Sequence, residues 1–296
     1  MFRTTGVGTT DRWGMKALPS ISDEQFELWQ TLIEARTGMT VGPARRSFLE
    51  TNLAIRMREI GLSDYEAYYE QLMAGPVAER EWAILVDRLT VQETSFFRHP
   101  SSFALVRSYL AERLLSDRSM KSLHLWSVGC STGEEPYSLA MQVDAQLQDI
   151  KRNDVYFGVT ATDISLPTLA RARAGRYGER RLLNVPEGWR QRYFQAAPGS
   201  ARELQVADAL KKHVAFVQLN IMELDRAPLS DMDVIFCQNV LIYFRRFRKR
   251  DILANLASRL APGGLLVLGV GEAVDWTHPA LTRVEYPDTL AFRRKA

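Results

Sequence analysis

Leu123-His124-Leu125-Trp126-Ser127-Val128-Gly129-Cys130-Ser131-Thr132-Gly133-Glu134-Glu135-Pro136-Tyr137 is the stretch that decides the fold. A short apolar run ending in Trp126 and Val128 reads as a buried strand. It breaks at Gly129, turns, and re-emerges after Gly133 with helical spacing of Tyr137, Leu139, Ala140 and Val143. Strand, glycine turn and helix are how an open α/β sheet brings backbone N–H groups and a helix N-terminus to a nucleotide. The glycines are four apart, so the turn is not Gly-x-Gly-x-x-Gly. No Lys-Ser/Thr follows, which excludes a phosphate-binding P-loop. Glu134 and Glu135 would repel a phosphate. The expected ligand is therefore a phosphate-free nucleoside carrying positive charge, and S-adenosylmethionine fits that description. The bland alternative is a turn that merely joins strand to helix.

Working outward, strand-like runs recur at Val155–Thr162, His213–Leu219, Asp233–Cys237 and Leu265–Val270, separated by helical patterns as parallel βαβ units require. A last pair, Arg283–Tyr286 and Leu290–Arg293, is joined by Pro287-Asp288 too tightly for a crossover and must be antiparallel. The predicted fold class is α/β, a mostly parallel Rossmann-like sheet with a terminal antiparallel hairpin, as in the common methyltransferase domain. About fifty residues separate Asp163 from His213, where one helix would suffice. Around Pro198-Gly199 a turn lies between two short extended runs, which predicts a small antiparallel β insertion at about 190–210. A wandering surface loop is the alternative.

Ahead of this domain lie four helical patterns. Ser22 with Gln25 forms a capping box for the first, which carries Phe26, Trp29, Leu32 and Ile33 and ends at Gly38. Pro43 opens the second, which runs to Gly61. Ser63 with Glu66 is the expected cap of the third, and the fourth carries Trp82, Leu85, Val86 and Leu89. Residues 1–20 read as a flexible leader, 21–90 as a helical domain, 91–100 as a linker and 101–296 as the α/β domain. The second helix sets Arg45, Asn52 and Arg56 on one stripe. That is a solvated face or a docking stripe for an acidic partner. In the linker, Phe96 and Phe97 are expected to anchor on a core, holding Thr94 and Arg98 across a cleft. His99, beside Pro100, reads as structural.

At 296 residues, with 46% hydrophobic and 25% charged side chains, the composition is that of an ordinary soluble globular protein. A net charge of +3 is too small to argue for nucleic acid. Cys130 and Cys237 make neither a disulfide framework nor a zinc site. No apolar run approaches a membrane span, and the leader lacks a signal-peptide core, so a reducing cytoplasm is expected.

The candidate chemistry gathers at strand ends. Asp163 ends the second strand, where an acid accepts from ribose hydroxyls, although capping the next helix is an equal reading. Asn220 closes the third strand and Gln238-Asn239 the fourth. Tyr243, in Val240-Leu241-Ile242-Tyr243-Phe244, either enters the cleft or packs. Arg245-Arg246-Phe247-Arg248-Lys249-Arg250 is a solvated helix start, or a basic patch for an acidic protein surface or a phosphate backbone.

Four motifs in series, Glu93–Arg98, Ser131–Ser138, Ala161–Ile164 and Asn239–Phe244, resemble those of the CheR family, the chemotaxis protein methyltransferases. The resemblance implies methyl transfer from S-adenosylmethionine to glutamate side chains in the cytoplasmic helical region of chemoreceptors, giving glutamate 5-methyl esters and S-adenosylhomocysteine. It also implies no metal, no nucleic acid, no membrane insertion and a monomer. Carried over by motif, Gln92, Thr94, Arg98, Glu134, Asp163, Asn220, Ile221, Gln238 and Asn239 line the cofactor site. Arg98 and Tyr243 act at the reacting centre, and Arg45 and Arg56 dock the receptor. Gln92 stands where many members have Asn, and Gln238 where Arg is frequent. The short insertion speaks against docking of a receptor tail peptide. The competing readings are a nucleic-acid methyltransferase, disfavoured by the absence of prolines after Asn239, and a non-catalytic cofactor sensor.

Overall fold

The computed structural model describes residues 20–74, 76–90 and 92–296, so nearly all of the expected leader lies outside the described residues. The chain divides into two compact units. One takes in residues up to Arg36 together with Val41–Leu89, the other Thr37–Thr40 with Thr90–Ala296.

The first unit is all-helical: α1 (Asp23–Thr37), α2 (Arg46–Glu59), α3 (Tyr65–Met73) and α4 (Pro76–Leu89). The capping box forms as expected, with Ser22 N–H donating to Gln25 Oε1 and Gln25 N–H to Ser22 Oγ, both at 3.1 Å. The cap of α3 is Asp64 rather than Ser63, its carboxylate accepting from Ala67 N–H. Trp29, Leu49, Leu53, Tyr68 and Leu85 fill the core. Arg56 donates from Nε and Nη2 to both oxygens of buried Glu81 at 2.7 and 2.6 Å, and from Nη1 to Glu59. Tyr68 Oη donates to the same Glu81. These bonds hold the Glu81 and Glu59 carboxyls below the usual carboxylate range. Arg56 is thus a half-buried cation held in a structural ion pair with Glu81. Arg45 precedes α2, with its guanidinium over the Phe48 ring.

The second unit begins its regular structure with α5 (Pro100–Ser116). Then follow β1 (Ser122–Val128), α6 (Glu134–Asp149), β2 (Tyr156–Asp163) and α7 (Leu166–Ala174). After β3 (Arg176–Gly178), α8 (Glu187–Tyr193), β4 (Phe194–Ala196), β5 (Glu203–Val206) and α9 (Asp208–Lys211) come β6 (Val214–Gln218) and β7 (Met232–Cys237). The chain ends with α10 (Arg246–Ser258), β8 (Leu260–Leu268), β9 (Leu281–Tyr286) and β10 (Thr289–Arg294). The seven-stranded sheet has order β6-β2-β1-β7-β8-β10-β9, with β10 antiparallel to both its neighbours and the other pairs parallel. Alternation along β1 explains its burial on both faces. Leu123 and Leu125 pack with α5 and α6, while Trp126 and Val128 pack with α10.

The insertion is a separate sheet of order β3-β5-β4. Its third strand, β3, starts directly after the left-handed Gly175 and went unread in the two-run expectation. No helix among the described residues is long and apolar enough to cross a membrane. No group of three or more His, Cys, Asp or Glu among them is placed to hold a metal ion.

Candidate active site

The carboxyl ends of β1, β2, β6 and β7 meet at one rim, as the strand order 6-2-1-7 dictates. The turn from β1 into α6 is set by two glycines at positive φ, Gly129 and Gly133. A Cβ on Gly129 would lie 2.4 Å from Val240 Cγ2, and one on Gly133 would lie 2.9 Å from both Ala172 Cβ and Tyr177 Oη. Asp163 fastens this turn to β2. Its Oδ2 accepts from Ser131 N–H at 2.9 Å and its Oδ1 from Ser165 N–H at 3.0 Å. The cap of α7 is Ser165, which settles the capping alternative for Asp163.

Two adjoining cavities open on the rim and share Gly129, Ser131, Asn239 and Tyr243. The first, about 760 Å³, is walled by Gln92, Thr162, Asp163, Asn220, Ile221, Leu224, Val240 and Phe244, among others. Among the described residues its lining contains an acid and no Lys or Arg, so it suits a nucleoside without phosphates. The second, about 880 Å³, is more polar and is lined by Thr94, Arg98, His99, Glu135, Gln238 and Ile242 besides the shared residues.

The linker forms part of this second wall because its aromatics are buried. Phe96 meets Tyr177 and Phe194 edge-on, and Phe97 meets Phe103 and Trp189. Phe97 N–H donates to Ser138 Oγ, and Arg181 of the insertion bonds the Thr94 carbonyl. Tyr177 Oη donates to the Thr132 carbonyl at 2.7 Å. The insertion therefore holds both the linker and the glycine turn. Gln92 reaches α7, donating to Thr168 Oγ1 and accepting from Arg171.

Residues 92–288 match the family model described as CheR methyltransferase, SAM binding domain, and residues 24–90 match CheR methyltransferase, all-alpha domain. The chain belongs to the CheR methyltransferase family. Chemotaxis protein methyltransferase 1 of Pseudomonas aeruginosa is 32% identical over 281 residues, 93% of this chain and 100% of that relative. The chemotaxis protein methyltransferase of Escherichia coli is 32% identical over 254 residues, 86% of this chain and 85% of its own. A probable biofilm formation methyltransferase, WspC of P. aeruginosa, is 30% identical over 267 residues, 90% of this chain but 61% of that longer protein.

The donor set of this CheR chain fits the S-adenosyl group that the matched domain binds. Among the described residues the first cleft is lined by no Lys or Arg, and the adjoining cavity walls carry two buried polar atoms without a partner, Ser131 Oγ and Gln238 Oε1. Gln238 Nε2 is spent on Ser102 Oγ and the Leu268 carbonyl, leaving its oxygen as an acceptor at the wall. Asn220 Oδ1 caps the following 3-10 turn at Met222 N–H.

Of the residues expected here, Gln92, Asp163, Asn220 and Ile221 line the first cavity, Thr94, Arg98 and Gln238 the second, and Asn239 and Tyr243 both. Glu134 lines neither. It is buried, accepting from Thr132 Oγ1 and facing Arg181 at 3.6 Å. Its neighbour Glu135 reaches the polar cavity instead, accepting from Ser127 Oγ at 2.7 Å. Loss of solvation and the nearby Glu272 carboxylate push the Glu135 carboxyl up to about 8, against the Ser127 bond.

Two residues were missed. Glu272 is buried and accepts backbone N–H bonds from Gly269, Asn239 and Ile242 at 2.8, 3.0 and 3.2 Å, so it holds the strand-end segment of Asn239 in its left-handed turn. Burial raises its carboxyl too. His99, read as structural, accepts at Nε2 from Asn239 Nδ2 at 2.9 Å, and burial with neighbouring Arg98 lowers its pKa, keeping the ring neutral. Neither stands in a periodic pattern, and only the strand order brings them to Asn239.

Proposed function

We propose that this chain transfers the methyl group of S-adenosylmethionine to glutamate side chains in the cytoplasmic helical region of chemoreceptors, giving glutamate 5-methyl esters for sensory adaptation. The observation that carries this reading is the pairing of a cleft lined, among the described residues, by Asp163 and no Lys or Arg with a polar cavity where Arg98, Tyr243 and Glu135 converge. The chemotaxis names of the relatives support the choice of acceptor.

S-adenosylmethionine bound here supplies a methyl on a positively charged sulfur and a neutral thioether as leaving group. Asp163 and Asn220 hold its ribose side, and Glu135, on giving up its proton, supplies negative charge beside its cationic end. Gln92, Thr94, Ile221, Gln238 and Asn239 complete the wall. The acceptor glutamate has a reference pKa of about 4.3 and arrives as a carboxylate, so no general base is required. His99 is accordingly free to serve Asn239 rather than a proton transfer. Arg98 Nη1 bonds the Glu93 carbonyl, and the guanidinium has further donors with which to orient an incoming carboxylate. Tyr243 closes the approach between the two cavities. Phe103 makes a buried apolar wall that excludes water, which favours a reaction in which opposite charges cancel. Positioning at attack distance is the main contribution these residues make.

The test is incubation with radiolabelled S-adenosylmethionine and purified chemoreceptor cytoplasmic fragments. Label on the receptor that base releases as a volatile product supports the ester. Base-stable label, or label on RNA only, overturns it.

A further inference from the structure

Within the basic run, the side chains of Arg246, Arg248, Lys249 and Arg250 make no hydrogen bond or ion pair with the rest of the fold among the described residues. Arg245 is the N-cap of α10 and makes no side-chain cap bond, and the first turn contains no acid. Cations at a helix N-terminus oppose the helix dipole, and Arg246 with Arg250 is an unfavourable like-charge pair at i,i+4. Among the described residues Arg246, Arg248, Lys249 and Arg250 form no ion pair. Arg248 lies over the Phe247 ring, 5.2 Å from its centroid, and Phe247 is itself more than half exposed. The helix becomes buried only from Ile252 onward. A local arrangement that weakens its own helix and shows charge to water calls for a partner.

The position of the run names that partner. Ile242 and Tyr243 line the polar cavity, Phe244 is buried, and the run follows at once. Ile242 is more than half exposed and is tied through its N–H to Glu272, whose neighbours Val270 and Val274 are also largely exposed. The mouth of the cavity is thus bordered by apolar side chains and then by a turn of cations. An anionic bilayer or a nucleic acid would find the charge there, but neither brings a carboxylate into the cavity.

Resting on the methyl-transfer reading above, we propose that the first turn of α10, with Phe247 and Ile242, is the docking lip for an acidic amphipathic helix of the protein acceptor. That helix would carry acidic residues about one turn from its target glutamate and an apolar stripe against Ile242 and Phe247. In α-helical geometry Arg246 and Arg250 stand about 6 Å apart along the axis, matching acids spaced four residues apart.

The experiment measures binding of a fluorescent chemoreceptor cytoplasmic fragment to the full chain with S-adenosylhomocysteine present, separately from methyl transfer. The triple variant Arg246→Glu, Arg248→Glu, Arg250→Glu is expected to weaken fragment binding at least ~10-fold at low salt and to flatten its salt dependence. The triple Arg→Lys variant should retain both. S-adenosylhomocysteine affinity should not change, and the melting temperature of the Glu variant should rise, since acids suit a first turn. Saturated turnover should also hold, with the loss appearing in KM. Unchanged fragment affinity and salt slope overturn the proposal, as does a variant that loses only binding to vesicles of 30% phosphatidylglycerol. Should charge-dependent binding persist while wild type transfers no methyl group, the reaction reading fails and the docking surface stands.

Discussion

Replacing Glu135 with Gln tests the electrostatics of the site most directly. The carboxyl moves from an ordinary value near 4.5 up to about 8, chiefly through loss of solvation. Between those two values the folded chain keeps a proton that the unfolded chain releases. Stability contributed by this group is therefore complete below pH 4.5 and falls as pH rises toward 8. By pH 7 the loss is about 3 kcal/mol, two and a half units at roughly 1.4 kcal/mol each, and less where cavity water screens the charge. Gln cannot lose a proton, so E135Q should be more stable than wild type by up to that amount at pH 7 and equal to it near pH 4. Urea denaturation of both proteins across pH 4–8 reads the difference. Binding supplies a second readout. If the cationic end of S-adenosylmethionine requires the ionised form, binding at pH 7 should release about 0.9 proton. Calorimetry in buffers of different ionisation enthalpy measures that release, and E135Q should abolish it while binding more weakly. A stability difference that ignores pH, together with buffer-independent binding heats, would refute the argument.

Arg98→Ala should leave S-adenosylhomocysteine affinity within about tenfold, or 1.4 kcal/mol, while methyl transfer collapses; equal transfer rates would remove Arg98 from the mechanism. Asp163→Ala should weaken cofactor binding by roughly 1–3 kcal/mol, because Ser131 N–H loses its acceptor along with any ribose contact, and unchanged calorimetric affinity would exclude that role. Gly129→Ala forces a Cβ to within 2.4 Å of Val240 at φ +68°, so it should cost about 1–3 kcal/mol of stability and most of the binding; a normal melting temperature would contradict the geometry. Glu81→Ala strands Arg56 and Tyr68 in the helical unit and should destabilise it by about 3–5 kcal/mol, read by denaturation, with a loss under 1 kcal/mol counting against the buried pair.

The strand, glycine turn and helix around Gly129 were legible because period-2 and period-3.6 burial meet at a residue whose backbone conformation only glycine adopts easily. The Ser22–Gln25 box was legible for a similar reason: both partners are local. At the next helix Ser63 and Asp64 are equally good caps, and only the position of Ala67 N–H decides between them. Glu134 and Glu135 are adjacent on a helix, where successive side chains point about 100° apart. Which of them enters the cavity depends on how α6 is rolled against β1, and sequence carries no trace of that. Arg56 looked like surface because its partner, Glu81, comes from another helix 25 residues away. Strand β3 is three residues long, too short for any period to show. Glu272 and His99 depend wholly on which strands are neighbours.

The four residues Thr37–Thr40, at and just beyond the end of α1, belong with the binding unit and not with the other helices. Thr37 and Met39 wall the nucleoside cleft, Thr40 N–H bonds the Tyr243 carbonyl at 2.8 Å, and a Cβ on Gly38 would lie 2.5 Å from Met222 Cγ. The family boundary near residue 90 is therefore a boundary of sequence and not of the binding site. A fragment starting there would lack one side of its own ligand chamber, so grafting this catalytic half onto a foreign helical module requires that the small corner at 37–40 travel with it.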